Sequence, residues 1–147
     1  MSAEINKIED VLLRDGTYAS VTSGVSMEPL FRTHRDMVIF KRAEGEMKKY
    51  DVVLYRSSGN YVMHRIISVR AEDYVIRGDN TYTKEFVPKG DVIAVLVAFN
   101  RKGKRHEVSE VGYRFYSRLW HYLYPIRSLS RRVRLKIKRI FLKTNKR

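Results

Sequence analysis

Residues 51–77 read DVVLYRSSGNYVMHRIISVRAEDYVIR, three short runs rich in Val, Ile and Tyr joined by two tight connectors. The runs Asp51 to Arg56, Tyr61 to Arg70 and Tyr74 to Arg77 alternate or cluster β-branched and aromatic residues, as strands do. Ser57-Ser58-Gly59-Asn60 and Ala71-Glu72-Asp73 between them are hairpin-grade turns. Two further runs fit the same pattern, DMVIFKR from Asp36 to Arg42 and VIAVLVAFN from Val92 to Asn100. Ahead of them SAEINKIEDVLLRDG predicts a short helix. Ser2 can cap it, Ile5, Ile8, Val11 and Leu12 share a face, and Gly16 supplies a left-handed stop. The expected fold is mainly β, a small antiparallel barrel or sandwich whose edges are closed or covered, with a short N-terminal helix and C-terminal amphipathic helices.

The chain has 147 residues, no Cys, and 30 Lys+Arg against 16 Asp+Glu. That length suits one core. Without cysteine there is no disulfide, thiol nucleophile or cysteine-bound metal, so any covalent chemistry uses oxygen or nitrogen. The longest apolar run, Val92 to Phe99, is far short of the ~20 residues of a spanning helix. The N-terminal MSAEINKIEDVLLRDG carries acids where an export signal is basic and then apolar. The cytoplasm, with peripheral attachment to a membrane as an option, is therefore the expected location. Charge is unevenly placed: residues 1–112 hold 18 Lys+Arg and 16 Asp+Glu, whereas residues 113–147 hold 12 Lys+Arg and no acid. This shift near Gly112 divides the chain into a nearly neutral body, 1–112, and a basic aromatic tail, 113–147.

Within the body, Thr22-Ser23-Gly24-Val25-Ser26-Met27-Glu28-Pro29-Leu30 combines a hydroxyl, glycine and proline in a manner that suits a sharp turn. Ser26 is then either a nucleophile on an exposed turn or the N-cap of a following helix. Of the four histidines, only His64 falls inside a strand, sharing a face with Val62, Ile66 and Ser68. It is either a core residue or a rigidly held base. An imidazole, with a reference pKa of about 6.5, can accept a serine proton near neutrality. Gly78-Asp79-Asn80 follows the strand YVIR and places a carboxylate at the sheet rim, or forms an ordinary Asx-type turn.

Taken in order, SGVSMEP, DMVIFKR, DVVLYR, VMHRI, RGDN and VIAVLVAF resemble the boxes of the superfamily of type I signal peptidases and LexA-like self-cleaving peptidases, from about Ser23 to Phe99. The resemblance implies Ser26 as nucleophile and His64 as base. Lysine at the base position marks bacterial export enzymes and LexA-like proteins, and histidine marks the endoplasmic-reticulum and archaeal branch. It also implies a mostly β fold in which substrate adds as an extended strand, and it maps the Gly-Asp-Asn box onto Gly78, Asp79 and Asn80. In the histidine branch a second acid follows that box by about half a dozen residues; here it is Glu85. Asp79 or Glu85 could orient His64, and Asp79 is the first choice. The expected oxyanion hole is the Ser26 amide with the Val25 amide or Ser23 hydroxyl, and Met27 and Pro29 are expected to border the substrate. No metal or organic cofactor is implied.

The expected activity is that of a serine endopeptidase cutting a leader or signal-like segment of a peptide or precursor protein. The alternative is a non-enzymatic or self-cleaving LexA-like regulatory or peptide-binding protein, although the 22 residues before Ser23 are too few for a helix-turn-helix domain. In the tail, Tyr113, Tyr116, Trp120 and Leu123 or Tyr124 recur at helical spacing. Pro125 interrupts, and Val133, Ile137, Ile140 and Phe141 resume among Arg and Lys. Three readings stay open: interfacial helices on anionic lipid, phosphate binding to nucleic acid, and aromatics packed on the body. The lipid reading leads, since no nucleic-acid fold motif is present.

Overall fold

The computed structural model describes residues 2–144, apart from the side chains of residues 2–7 and 143–144; the expected Ser2 cap and the Ile5 position on the helix face therefore lie outside the described set, as do residue 1 and residues 145–147. Helix α1 (Ser2–Asp15) starts at Ser2 itself and ends as expected at Gly16, whose φ of 71° lets its amide reach back to the Leu12 carbonyl at 3.0 Å. Eight strands follow: β1 (Thr17–Val21), β2 (Met37–Arg42), β3 (Val52–Ser57), β4 (Asn60–Val69), β5 (Asp73–Arg77), β6 (Glu85–Pro88), β7 (Val92–Arg101) and β8 (Lys104–Glu107). They form one antiparallel sheet in the order β1-β2-β7-β3-β4-β5-β6, with β8 hairpinned onto β7. The sheet does not close: β1 and β6 end the path without pairing to each other. In place of barrel closure, α1 lies against β1 and β2 and inserts Leu12 into the core.

The five strands expected from the sequence all form, each within a residue or two of its expected ends. Three others are additional. The strands β1, β6 and β8 are four or five residues long and carry at most one fully buried side chain each, so they show no apolar alternation. The β3–β4 turn is a two-residue loop with Ser58 and Gly59 both left-handed, at φ 49° and 78°, a geometry that matches the twist of the flanking strands.

The run VVLY in β3 is buried on both faces. Val52 and Leu54 join a cluster with Leu12, Met27, Phe31 and Phe40, and Val53 and Tyr55 join another with Ile66, Tyr74 and Ile76. Strand β4 divides its side chains in the same way, sending His64 to one face and Arg65 to the other.

Helices α2 (Val111–Tyr122) and α3 (Tyr124–Thr144) follow β8. The face of α2 bearing Tyr113, Tyr116, Ser117 and Trp120 packs on the body, which is the third of the readings open for this segment. Arg65, fully buried, donates to Ser117 Oγ at 2.9 Å, to the Tyr113 hydroxyl at 3.3 Å and to the Tyr50 carbonyl at 3.0 Å. The Arg77 guanidinium lies 3.4 Å from the centre of the Tyr124 ring. Among the described residues, no helix is long and apolar enough to cross a membrane.

Candidate active site

The β1–β2 connection is a folded loop. The Thr22 hydroxyl donates to the Arg32 carbonyl at 2.8 Å, and the Thr33 hydroxyl donates to the Gly24 carbonyl at 2.6 Å. At its far end Asp36, wholly buried, accepts from the Arg32 amide at 2.9 Å and from the Arg35 guanidinium. Burial opposes ionisation of this carboxyl, but the Arg35 and Arg32 donors outweigh it and hold the pKa below the ordinary carboxylate value. Met27, Leu30 and Phe31 are each 3% exposed or less and anchor the loop in the core. Ser26 is therefore carried on a fixed turn, half-buried beside the exposed Val25.

The segment after Ser26 is a run of turns and not a helix, so the capping reading has no helix to cap. The Ser26 hydroxyl makes no hydrogen bond among the described residues, and neither the Val25 nor the Ser26 amide donates one. Met27 is a core residue, which removes its side chain from the expected substrate-bordering set; Pro29 is exposed.

The Gly78-Asp79-Asn80 turn grips this loop. The Asn80 amide donates to the Ser26 carbonyl at 2.8 Å, and its side-chain amide donates to the Val25 carbonyl at 3.1 Å. Gly78 brings the serine turn and the histidine together. A Cβ there would lie 2.6 Å from the Ser26 carbonyl oxygen and 3.0 Å from both Cδ2 and Nε2 of His64. Only a residue without a side chain allows that approach.

On its other edge the His64 ring is held by an acid. Nδ1 lies 2.8 Å from Glu85 Oε1, and the Tyr55 hydroxyl is 2.7 Å from Glu85 Oε2 and 3.1 Å from Nδ1. Burial, reinforced by the neighbouring Glu85 carboxylate, pushes the Tyr55 phenol far above its ordinary pKa. Tyr55 thus keeps its proton and donates it to Oε2. The hydrogen-bond pattern then assigns the imidazole proton to Nδ1, donating to Oε1, and leaves the Nε2 lone pair on the edge beside Gly78 and the Ser26 turn. Such an arrangement can accept a proton from a nucleophile at Nε2 while the carboxylate stabilises the charge that develops.

Asp79, the first choice for the orienting acid, lies elsewhere. Its two oxygens are taken by Arg65 Nε and Nη2, both at 2.8 Å, and the Tyr116 hydroxyl donates to Oδ2 at 3.2 Å. The Asp79 carbonyl accepts from Trp120 Nε1 at 2.9 Å and from Arg127. Arg65 follows His64 in the strand and projects to the opposite face, so the carboxylate it captures is turned away from the imidazole. Glu85, at the start of edge strand β6, has the place at Nδ1. Tyr55 stands in no conspicuous motif, yet the turn contains the signal: pairing Ser57 with Asn60 sets Val53 opposite His64 and Tyr55 one diagonal step away on the same face.

No protein-family model matches the chain, and no curated protein matches it either.

Proposed function

We propose that the chain is a serine peptidase of the signal-peptidase and LexA-like type, cutting a leader or signal-like segment from a peptide or precursor protein. Ser26 is the nucleophile, His64 the general base and Glu85 the acid that orients it. The observation that carries this reading is the imidazole held at Nδ1 by Glu85, with Nε2 facing the Ser26 turn across Gly78. The order of sequence boxes from Ser23 to Phe99 supports it independently.

In the reaction, Ser26 Oγ attacks the scissile carbonyl carbon and its proton passes to His64 Nε2. The oxyanion is met by the Ser26 amide, with the Val25 amide or Ser23 hydroxyl as second donor. Collapse of the tetrahedral intermediate breaks the C–N bond, and the leaving amine takes the proton from Nε2. Water then gives a proton to Nε2 and attacks the acyl ester, releasing the acid and restoring the Ser26 hydroxyl. The exposed Val25 and Pro29 border the substrate.

The test is a peptide library incubated with the full chain, its products identified by mass spectrometry and the protein quenched in acid during turnover. New peptide termini are expected, with a substrate fragment esterified to the tryptic peptide that contains Ser26. A library left uncut, or cleavage with an acyl group elsewhere, would overturn the proposal. A related expectation concerns Gly78→Ala. Its Cβ must displace the Ser26 carbonyl or the His64 ring, and a misplacement of that size costs about 100-fold in kcat/KM. Wild-type turnover by this variant would show that the two groups need not approach across Gly78.

A further inference from the structure

The face of α2 opposite the body carries the exposed Phe115 and Leu119, Tyr122 is exposed beside them with its hydroxyl hydrogen-bonded to Tyr50, and α3 continues with exposed Ile126, Val133 and Ile137. The intervals are three, four or seven residues, so the side chains form one stripe along a helix. The stripe passes through the α2–α3 junction because the backbone ladder does: the Leu123 amide donates to the Leu119 carbonyl at 2.9 Å and the Arg127 amide to the Leu123 carbonyl at 3.0 Å. Around the stripe α3 carries eight Lys or Arg and no acid. By helical position Arg134 and Lys138 flank it on one side, and Arg132, Lys136 and Arg139 on the other.

We infer that this face is a docking surface for an anionic lipid bilayer. The body cannot cover it, because α2 already presents its other face, Tyr116, Ser117 and Trp120, to the Arg65–Asp79 pair. A second copy of the chain would bring two all-cationic helices together with no acid on either to offset their repulsion. Nucleic acid would use the cations and leave the apolar stripe in water. Anionic lipid meets both demands, with headgroups along the Arg and Lys flanks and acyl chains beneath Val133 and Ile137. On α2 the residues involved differ from those the sequence suggests, since Trp120 holds the Asp79 carbonyl and is not available to lipid; on α3 Val133 and Ile137 are the ones it suggests. The Trp120 bond ties the lipid-facing helix to the Gly78–Asp79 turn. The inference rests on exposure, periodicity and charge, and stands whether or not Ser26 is a nucleophile.

Full-length protein is to be sedimented with vesicles of phosphatidylglycerol and phosphatidylcholine in equal parts, and with phosphatidylcholine alone, at low and high salt. Binding to the anionic vesicles is expected to be at least roughly tenfold tighter and to weaken with salt. Val133→Asp/Ile137→Asp and, separately, Arg134→Glu/Lys138→Glu should each lose at least that factor. Both pairs lie on exposed positions, and circular dichroism of the charge-reversal pair checks that the helix persists. Equal binding to both vesicle types, or no binding, would overturn the inference. So would tighter binding to single-stranded RNA that the Asp pair leaves unchanged, or a concentration-dependent dimer in sedimentation velocity that the Asp pair abolishes.

Discussion

Ser26→Ala is expected to lower kcat/KM on any peptide the wild type cuts by about 10⁴-fold or more, His64→Ala by as much, and the double variant by no more than either. The lack of additivity follows from the mechanism. Without the imidazole the hydroxyl keeps its proton through the attack, and without the hydroxyl the imidazole has nothing to deprotonate. Stability should change little for Ser26→Ala, since the hydroxyl has no hydrogen-bond partner among the described residues and the loop is anchored by Met27, Leu30 and Phe31. Single-turnover rates and melting curves on the same preparations separate lost chemistry from lost folding. Cleavage by Ser26→Ala at the wild-type rate would remove Ser26 from the mechanism.

The strands that bury side chains are legible in the sequence, and those at the margins are not. VVLY and YVMHRII carry enough β-branched and aromatic residues to identify β3 and β4, and Ser58-Gly59 fixes their register. Strands β1, β6 and β8 pair through their backbones, and TYASV, EFVP and KRHE have little apolar alternation to betray them. The same lack of pattern hides the acid that meets His64. Glu85 opens one of those marginal strands, whereas Asp79 sits in a conspicuous glycine turn. Sequence distance favours neither residue. What separates them is the face of the sheet, and that is set by Arg65, a cation adjacent to His64 in the chain and opposite to it in space. The tail shows the same limit. Helical spacing correctly groups Tyr113, Tyr116 and Trp120 on one side of a helix, but only the partner across from them, Arg65 with Asp79, shows that this side turns inward.

Opposite effects are expected from the two acids. Glu85→Gln should reduce kcat/KM by about 10³ to 10⁴-fold, the scale on which an amide replaces an orienting carboxylate in such a triad. Glutamine can still accept from Nδ1, but it carries no charge to stabilise the imidazolium. Turned the other way, its NH₂ would donate to Nδ1 and move the proton to Nε2, where it blocks the base. The loss of stability should be small, within about 1 kcal/mol, because Glu85 stands on an edge strand with its side chain about one-third exposed. Asp79→Asn should do the reverse. Its carboxylate is the counter-ion of Arg65, with both side chains 3% exposed or less, and an unpaired guanidinium left in that position costs about 3–5 kcal/mol. In a domain of this size such a loss lowers the melting temperature by roughly 10 °C. Folded Asp79→Asn protein, assayed well below its melting point, should retain turnover within about tenfold of wild type, since its side chain does not touch His64. Measuring kcat/KM and melting temperature for both variants decides the assignment. If Asp79→Asn loses turnover while melting like wild type, and Glu85→Gln keeps its turnover, then Asp79 acts on His64 and the arrangement at Nδ1 is only structural.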